Sequence, residues 1–111
     1  MTVAELINGL QSYLSKEGAG NFKSYVECDI DCTIDSVYYR CGEVILQSNE
    51  TDNGNWSLIA PYILHCLKFF KKDLTVCVQV SDEDLDWQYY DVLGGCADDS
   101  EKFTLYCTER D

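Results

Sequence analysis

The chain has 111 residues, enough for one domain with its own core and no need of a disulfide or a metal to hold it. Hydrophobic residues make up 46%, which argues against disorder, and no apolar run approaches the roughly 20 residues that span a bilayer. Twenty acids against eight bases give a formal charge of −12. Such a surface repels nucleic acid and anionic membranes and favours basic protein partners, with fast, salt-sensitive association.

In chain order, Thr2 to Glu5 form a capping box, and Val3, Leu6, Ile7, Leu10 and Leu14 fall at helical spacing. A first helix is predicted from about Val3 to Ser15, stopped by the glycine-bearing stretch from Glu17 to Asn21. Phe22 to Ile30 alternates with period two. Further strands are expected at Ile34 to Arg40 and Glu43 to Ser48, with Cys41-Gly42 as the tight turn. Asn49 to Asn55 is turn chemistry. Pro61 opens a second helix that runs to about Phe70 and ends on Lys71-Lys72, which suit a helix C-terminus. Leu74 to Val80 and Trp87 to Leu93 read as strands, Gly94-Gly95 as a break, and Lys102 to Thr108 as a last strand.

The resulting order is αβββαβββ in a single α+β domain over residues 1–111, an antiparallel sheet with both helices on one face. A ragged internal duplication, about 1–50 against 56–111, is suggested by Val26 with Val76 and by Tyr38-Tyr39 with Tyr89-Tyr90. On such a sheet Val26, Cys28 and Ile30 point to the helices, and Glu27, Asp29 and Asp31 point to water. Like charges on neighbouring positions of one face repel, so solubility alone would not require lining them up.

Seven cysteines form an odd set, and the N-terminus lacks the basic-then-apolar pattern of an export signal. A reducing cytoplasm is expected, with the cysteines acting as small buried hydrophobes; Cys28-x3-Cys32 with Cys41 does not have the spacing of zinc modules. The glycosylation patterns at Asn49 and Asn55 would then be accidental. The single histidine, His65, shares a polar helix face with Lys68 and Lys72. No nucleophile elbow, phosphate loop or metal-binding helix is present, and the exposed carboxylates have no apolar pocket to tune them. Catalytic residues, cofactors and metal ligands are therefore not expected.

The candidate partner-binding residues are the strand acids Glu27, Asp29, Asp31 and Asp35, the loop acids Asp82, Glu83, Asp84 and Asp86, and the aromatics Trp87 and Tyr89. Trp87, Tyr89 and Asp91 would share one face, combining ring area for anchoring with charge for steering. A third acidic stretch, Asp98, Asp99 and Glu101, reads as a charged turn, and the loop acids lack the glycine and distal glutamate of an EF-hand.

The opening Thr2-Val-Ala-Glu-Leu-Ile7, followed by a helix and alternating strands, resembles small proteins of bacteriophages and mobile elements. In size, acidity and want of catalytic motifs the chain is similar to anti-CRISPR proteins. That resemblance implies an inhibitor in the cytoplasm of a bacterial host, which blocks a basic nucleic-acid-binding surface of a defence ribonucleoprotein complex. An immunity protein against a basic nuclease toxin, or a structural or regulatory phage protein with incidental acidity, are the alternatives.

Overall fold

The computed structural model describes residues 1–15, 25–30, 32–49, 58–81, 87–99 and 102–110. Two helices, α1 (Val3–Leu14) and α2 (Ala60–Leu67), accompany seven strands. The strands are β1 (Tyr25–Cys28), β2 (Cys32–Thr33), β3 (Ser36–Arg40), β4 (Glu43–Asn49), β5 (Thr75–Ser81), β6 (Trp87–Asp99) and β7 (Lys102–Glu109).

The start of α1 follows from local chemistry. Thr2 is the N-cap: its Oγ1 accepts the Glu5 N–H at 3.2 Å, and Glu5 Oε1 accepts the Thr2 N–H at 3.1 Å. These reciprocal bonds satisfy donors that the first helical turn leaves open, and they hold the Glu5 carboxyl below its ordinary value. Thr2→Ala is expected to lower stability by about 1 kcal/mol, read as a shift in urea midpoint with an unchanged m-value.

The sheet corrects the expected architecture. It is mixed, not antiparallel, and strands account for 54% of the described residues, so the protein is mostly β with two helices and the order is αββββαβββ. The strands run β2-β1-β7-β6-β5-β4-β3. β4 and β5 are parallel because the chain crosses over through α2 between them. β1 and β7, from opposite ends of the chain, are also parallel. Alternation sets which face a side chain takes, but it says nothing of which strand lies alongside. β6 also continues through Gly94-Gly95, absorbing the irregularity as a register shift between Val92 and Gly94.

Only Ile34 and Asp35 separate β2 from β3, although these two strands are the opposite edges of the sheet. A flat sheet of this size would hold its edges about 29 Å apart, whereas three residue steps reach roughly 10 Å at most. The sheet therefore curls into a half-barrel. Ile34 is fully buried in the same core as the helices, so the curl is toward the helix side. That core joins Val3, Leu6, Leu10, Ile63 and Leu67 to Val26, Cys28, Val44, Leu46, Val76, Val78, Phe103 and Leu105.

Candidate functional site

The face of the sheet turned away from the helices carries the polar chemistry. Every second residue of the four adjacent strands points there: Ser36, Tyr38 and Arg40 of β3, Glu43, Ile45 and Gln47 of β4, Cys77 and Gln79 of β5, and Tyr89 and Asp91 of β6. Gln79 is the centre. It is 2% exposed, and its amide oxygen accepts from the Tyr38 hydroxyl and from Gln47 Nε2, the latter at 3.2 Å. Its Nε2 donates to the Tyr89 hydroxyl at 2.8 Å, and Ser36 Oγ closes the chain onto Gln47 Oε1 at 2.8 Å. A buried amide with both its oxygen and its nitrogen engaged, in three bonds, fixes the rotamers around it. Burial, and then the neighbouring Tyr89 phenol, raise the Tyr38 hydroxyl above its ordinary value.

One row further along, Arg110 reaches back over the sheet from just beyond β7. Its guanidinium meets both oxygens of Glu43 at 2.9 and 2.7 Å, and Asp91 Oδ1 at 2.9 and 2.6 Å. These bonds, first to Glu43 and then to Asp91, raise the Arg110 value further and keep it cationic at any accessible pH. Cys77 lies fully buried between them, and burial followed by the Glu43 charge pushes its thiol up to about 12. It is an inert packing group there, not a nucleophile.

The nominated residues divide. Glu27 is half-buried on β1, in a row with Thr33 of β2 and Thr104 of β7. Asp29 is not a strand residue: β1 ends at Cys28, and the exposed Asp29 lies in a turn where Oδ1 accepts the Cys107 N–H at 3.0 Å. Its carboxylate thus prolongs the β1–β7 ladder by one bond. Asp35 lies at the join of β2 and β3, and its N–H donates to the Gln47 carbonyl at 2.8 Å. Trp87, 47% exposed, opens β6 opposite Ser81. Tyr89 belongs to the Gln79 network, and Asp91 to Arg110. Of the trio Trp87, Tyr89 and Asp91, only Trp87 keeps large exposed ring area. Asp31, Asp82, Glu83, Asp84 and Asp86 lie outside the described residues, as do Glu101 and the Glu17 to Asn21 stop.

Glu27 and Trp87 do not form one patch. Glu27 lies in the row that continues to Cys96, nine residues along β6 from Trp87, or roughly 30 Å along the strand. Asp35 and Trp87, by contrast, share the end of the sheet at which β4 and β5 finish, about 14 Å apart across three strand spacings.

No protein-family model, curated protein or solved structure matches this chain.

The described basic side chains are concentrated at one end of the strands, where the acids Glu5, Glu43, Asp73 and Asp91 also lie. All five lysine and arginine side chains described lie at this end, where β5 begins: Arg40 and Arg110 flank Glu43, and Lys68, Lys71 and Lys72 lead into Thr75. His65 is exposed on α2 beside them, edge-on to Phe69 with ring centroids 5.2 Å apart. At the other end Asn49 and Ser81 are paired neighbours. The chain that follows Asn49 brings Glu50 and Asp52, and the chain that follows Ser81 brings Asp82, Glu83, Asp84 and Asp86 before Trp87. Sequence reasoning found the acids but missed the Gln79 network. Its signal was a glutamine inside each of two apolar runs, VILQS and VCVQV.

Proposed function

We propose that the protein is a non-catalytic binding protein that docks a basic, nucleic-acid-binding surface of a partner against the end of its sheet where β4 and β5 finish. The observation that carries this reading is an acid-rich run of sequence that leads into an exposed tryptophan, at the end of the sheet without described basic side chains. In sequence, four acids occur in the five residues between Ser81 and Trp87, which pair at the end of β5, and Trp87 is an exposed indole; the described lysines and arginines lie at the start of β5, where Glu43, Asp73 and Asp91 accompany them. Acids in such a run steer approach to a cationic surface, and the indole supplies apolar area that charge alone does not. The resemblance to anti-CRISPR proteins suggests the nucleic-acid channel of a host defence complex as such a surface. Phosphate-like charge at that end would compete for it directly.

The test uses a panel of basic nucleic-acid-binding proteins with duplex DNA as competitor. Wild-type protein is expected to bind at least one member, to be displaced by DNA, and to associate about tenfold more slowly when salt rises from about 50 to about 200 mM. Replacing Asp82, Glu83, Asp84 and Asp86 with Asn or Gln should slow association by a similar factor. Replacing Lys68, Lys71 and Lys72 with Gln should not. Neutralising Glu27 and Asp29 separately asks whether the β1 acids contribute; Asp29→Asn keeps an acceptor for the Cys107 N–H, so the fold is retained. Unchanged affinity after neutralising both sets together would sink the proposal.

A further inference from the structure

The polar face of β3 to β6 holds a pocket of about 260 Å³, at the end where β5 begins and away from the acids assigned to partner binding. Arg40, Cys41, Glu43, Ile45, Tyr89 and Arg110 line it. Its size is just under the roughly 300 Å³ at which drug-sized sites begin, which suits a ligand of about ten heavy atoms. Its accessible apolar lining is the half-buried Tyr89 ring and the exposed Cys41; Ile45, which points away from the helix-side core, is only 3% exposed.

The polar groups of the pocket are unequally committed. The Glu43 carboxylate is spent on Arg110, and Arg110 is spent on Glu43 and Asp91. Arg40 has no hydrogen bond or ion pair among the described residues, and its charge is near enough to act on the Tyr38 hydroxyl. The Tyr89 hydroxyl accepts from Gln79 and gives its own proton to no described group. The pocket therefore offers a free guanidinium and a free O–H donor, and its acceptor is already used. Donors without acceptors select an anion, and a phenol ring in the wall selects a ligand with a flat apolar body. The formal charge of −12 on the whole chain disfavours dianions more than monoanions.

We infer that this pocket binds a small aromatic or alicyclic monocarboxylate, with the carboxylate held by Arg40 and the ring against Tyr89. The guanidinium forms two parallel bonds to a carboxylate.

Benzoate is the probe, with benzamide as its neutral isostere and amide chemical shifts as the readout. Benzoate is expected to shift residues of the Arg40–Glu43 turn, Ile45 and Tyr89 saturably, with a dissociation constant near or below about 1 mM. Benzamide and the Arg40→Gln variant should each bind at least about tenfold more weakly, and Arg40→Lys should recover part of the loss. Arg40 is exposed and bonded to no described group, so Arg40→Gln leaves the fold intact. Tyr89→Phe should weaken binding less, with its thermal midpoint followed because Gln79 loses a partner. Bound benzoate should also slow alkylation of the exposed Cys41 and leave the exposed Cys96 unaffected. Protein with Asp82, Glu83, Asp84 and Asp86 neutralised should bind benzoate as wild type does, which separates this site from partner docking. No saturable shift up to about 10 mM, equal binding of benzamide, or full binding by Arg40→Gln would each overturn the assignment.

Discussion

Val78→Asp is expected to abolish cooperative folding. Val78 has no exposed surface, and it pairs with Leu46 on one side and Tyr90 on the other, within a strand flanked by β4 and β6. Its side chain lies in the helix-side cluster, among apolar groups. Removing the isopropyl group forfeits about 1.5–3 kcal/mol of burial, and an unpaired carboxylate in that position costs several more. The sum approaches the 5–15 kcal/mol that holds together a typical domain. Val78→Ala calibrates the packing part alone, at roughly 2 kcal/mol, and should still melt in one transition. Far-ultraviolet circular dichroism with thermal and urea melts checks both. A native-like melt for Val78→Asp would mean that this residue does not face the core. The neighbouring Gln79 is just as buried but faces the open side, where its amide has three partners. β5 is thus covered on both faces, which explains why its sequence is an almost unbroken apolar run.

Elements whose signals are local were legible. α1 is specified by its own cap and by apolar spacing within twelve residues, β4 and β5 by short apolar, β-branched runs, and β7 by alternation. Pairing was not legible, because it is settled between distant segments. Nothing in Tyr25 to Cys28 marks it as the parallel neighbour of Lys102 to Leu105. The two-residue β2 escaped notice because Cys32–Thr33 is too short to show a period. At the site, the amount of acid was plain in the composition, but the use of each acid was not. Asp29 ends as a backbone acceptor for Cys107, and Asp91 and Glu43 converge on an arginine from the far end of the chain. Each of these roles depends on a contact more than fifteen residues away in sequence, beyond the reach of spacing arguments.

Gly95 shows the same gap between local and tertiary information, and it yields the second large effect. A glycine pair in a strand reads as a break, and replacing either glycine with alanine would be expected to help the strand by restricting the unfolded chain. The structure separates the two positions. A Cβ on Gly94 would meet nothing within 4 Å. A Cβ on Gly95 would lie 2.5 Å from Phe103 Cε1, 2.8 Å from its Cζ and 3.2 Å from Leu105 Cδ2. The Phe103 ring has little room to retreat. It is 2% exposed, its Cζ would lie 3.1 Å from a Cβ on Gly9 of α1, and the Tyr13 ring is 5.9 Å away, centroid to centroid. The ring is thus seated between a glycine of the helix and a glycine of the sheet, which accounts for a glycine in the middle of α1 as well. Gly95→Ala should cost about 1–3 kcal/mol through overpacking, a fall of about 4–12 °C in Tm. Gly94→Ala should be neutral or stabilising by up to about 1 kcal/mol. Shortening the ring in the double variant Gly95→Ala, Phe103→Leu should cost less than the two single changes added together, because the alanine methyl occupies space that the smaller side chain vacates. If Gly95→Ala melts with Gly94→Ala, or if the double variant is simply additive, the close approach of Phe103 to β6 is not what requires the glycine.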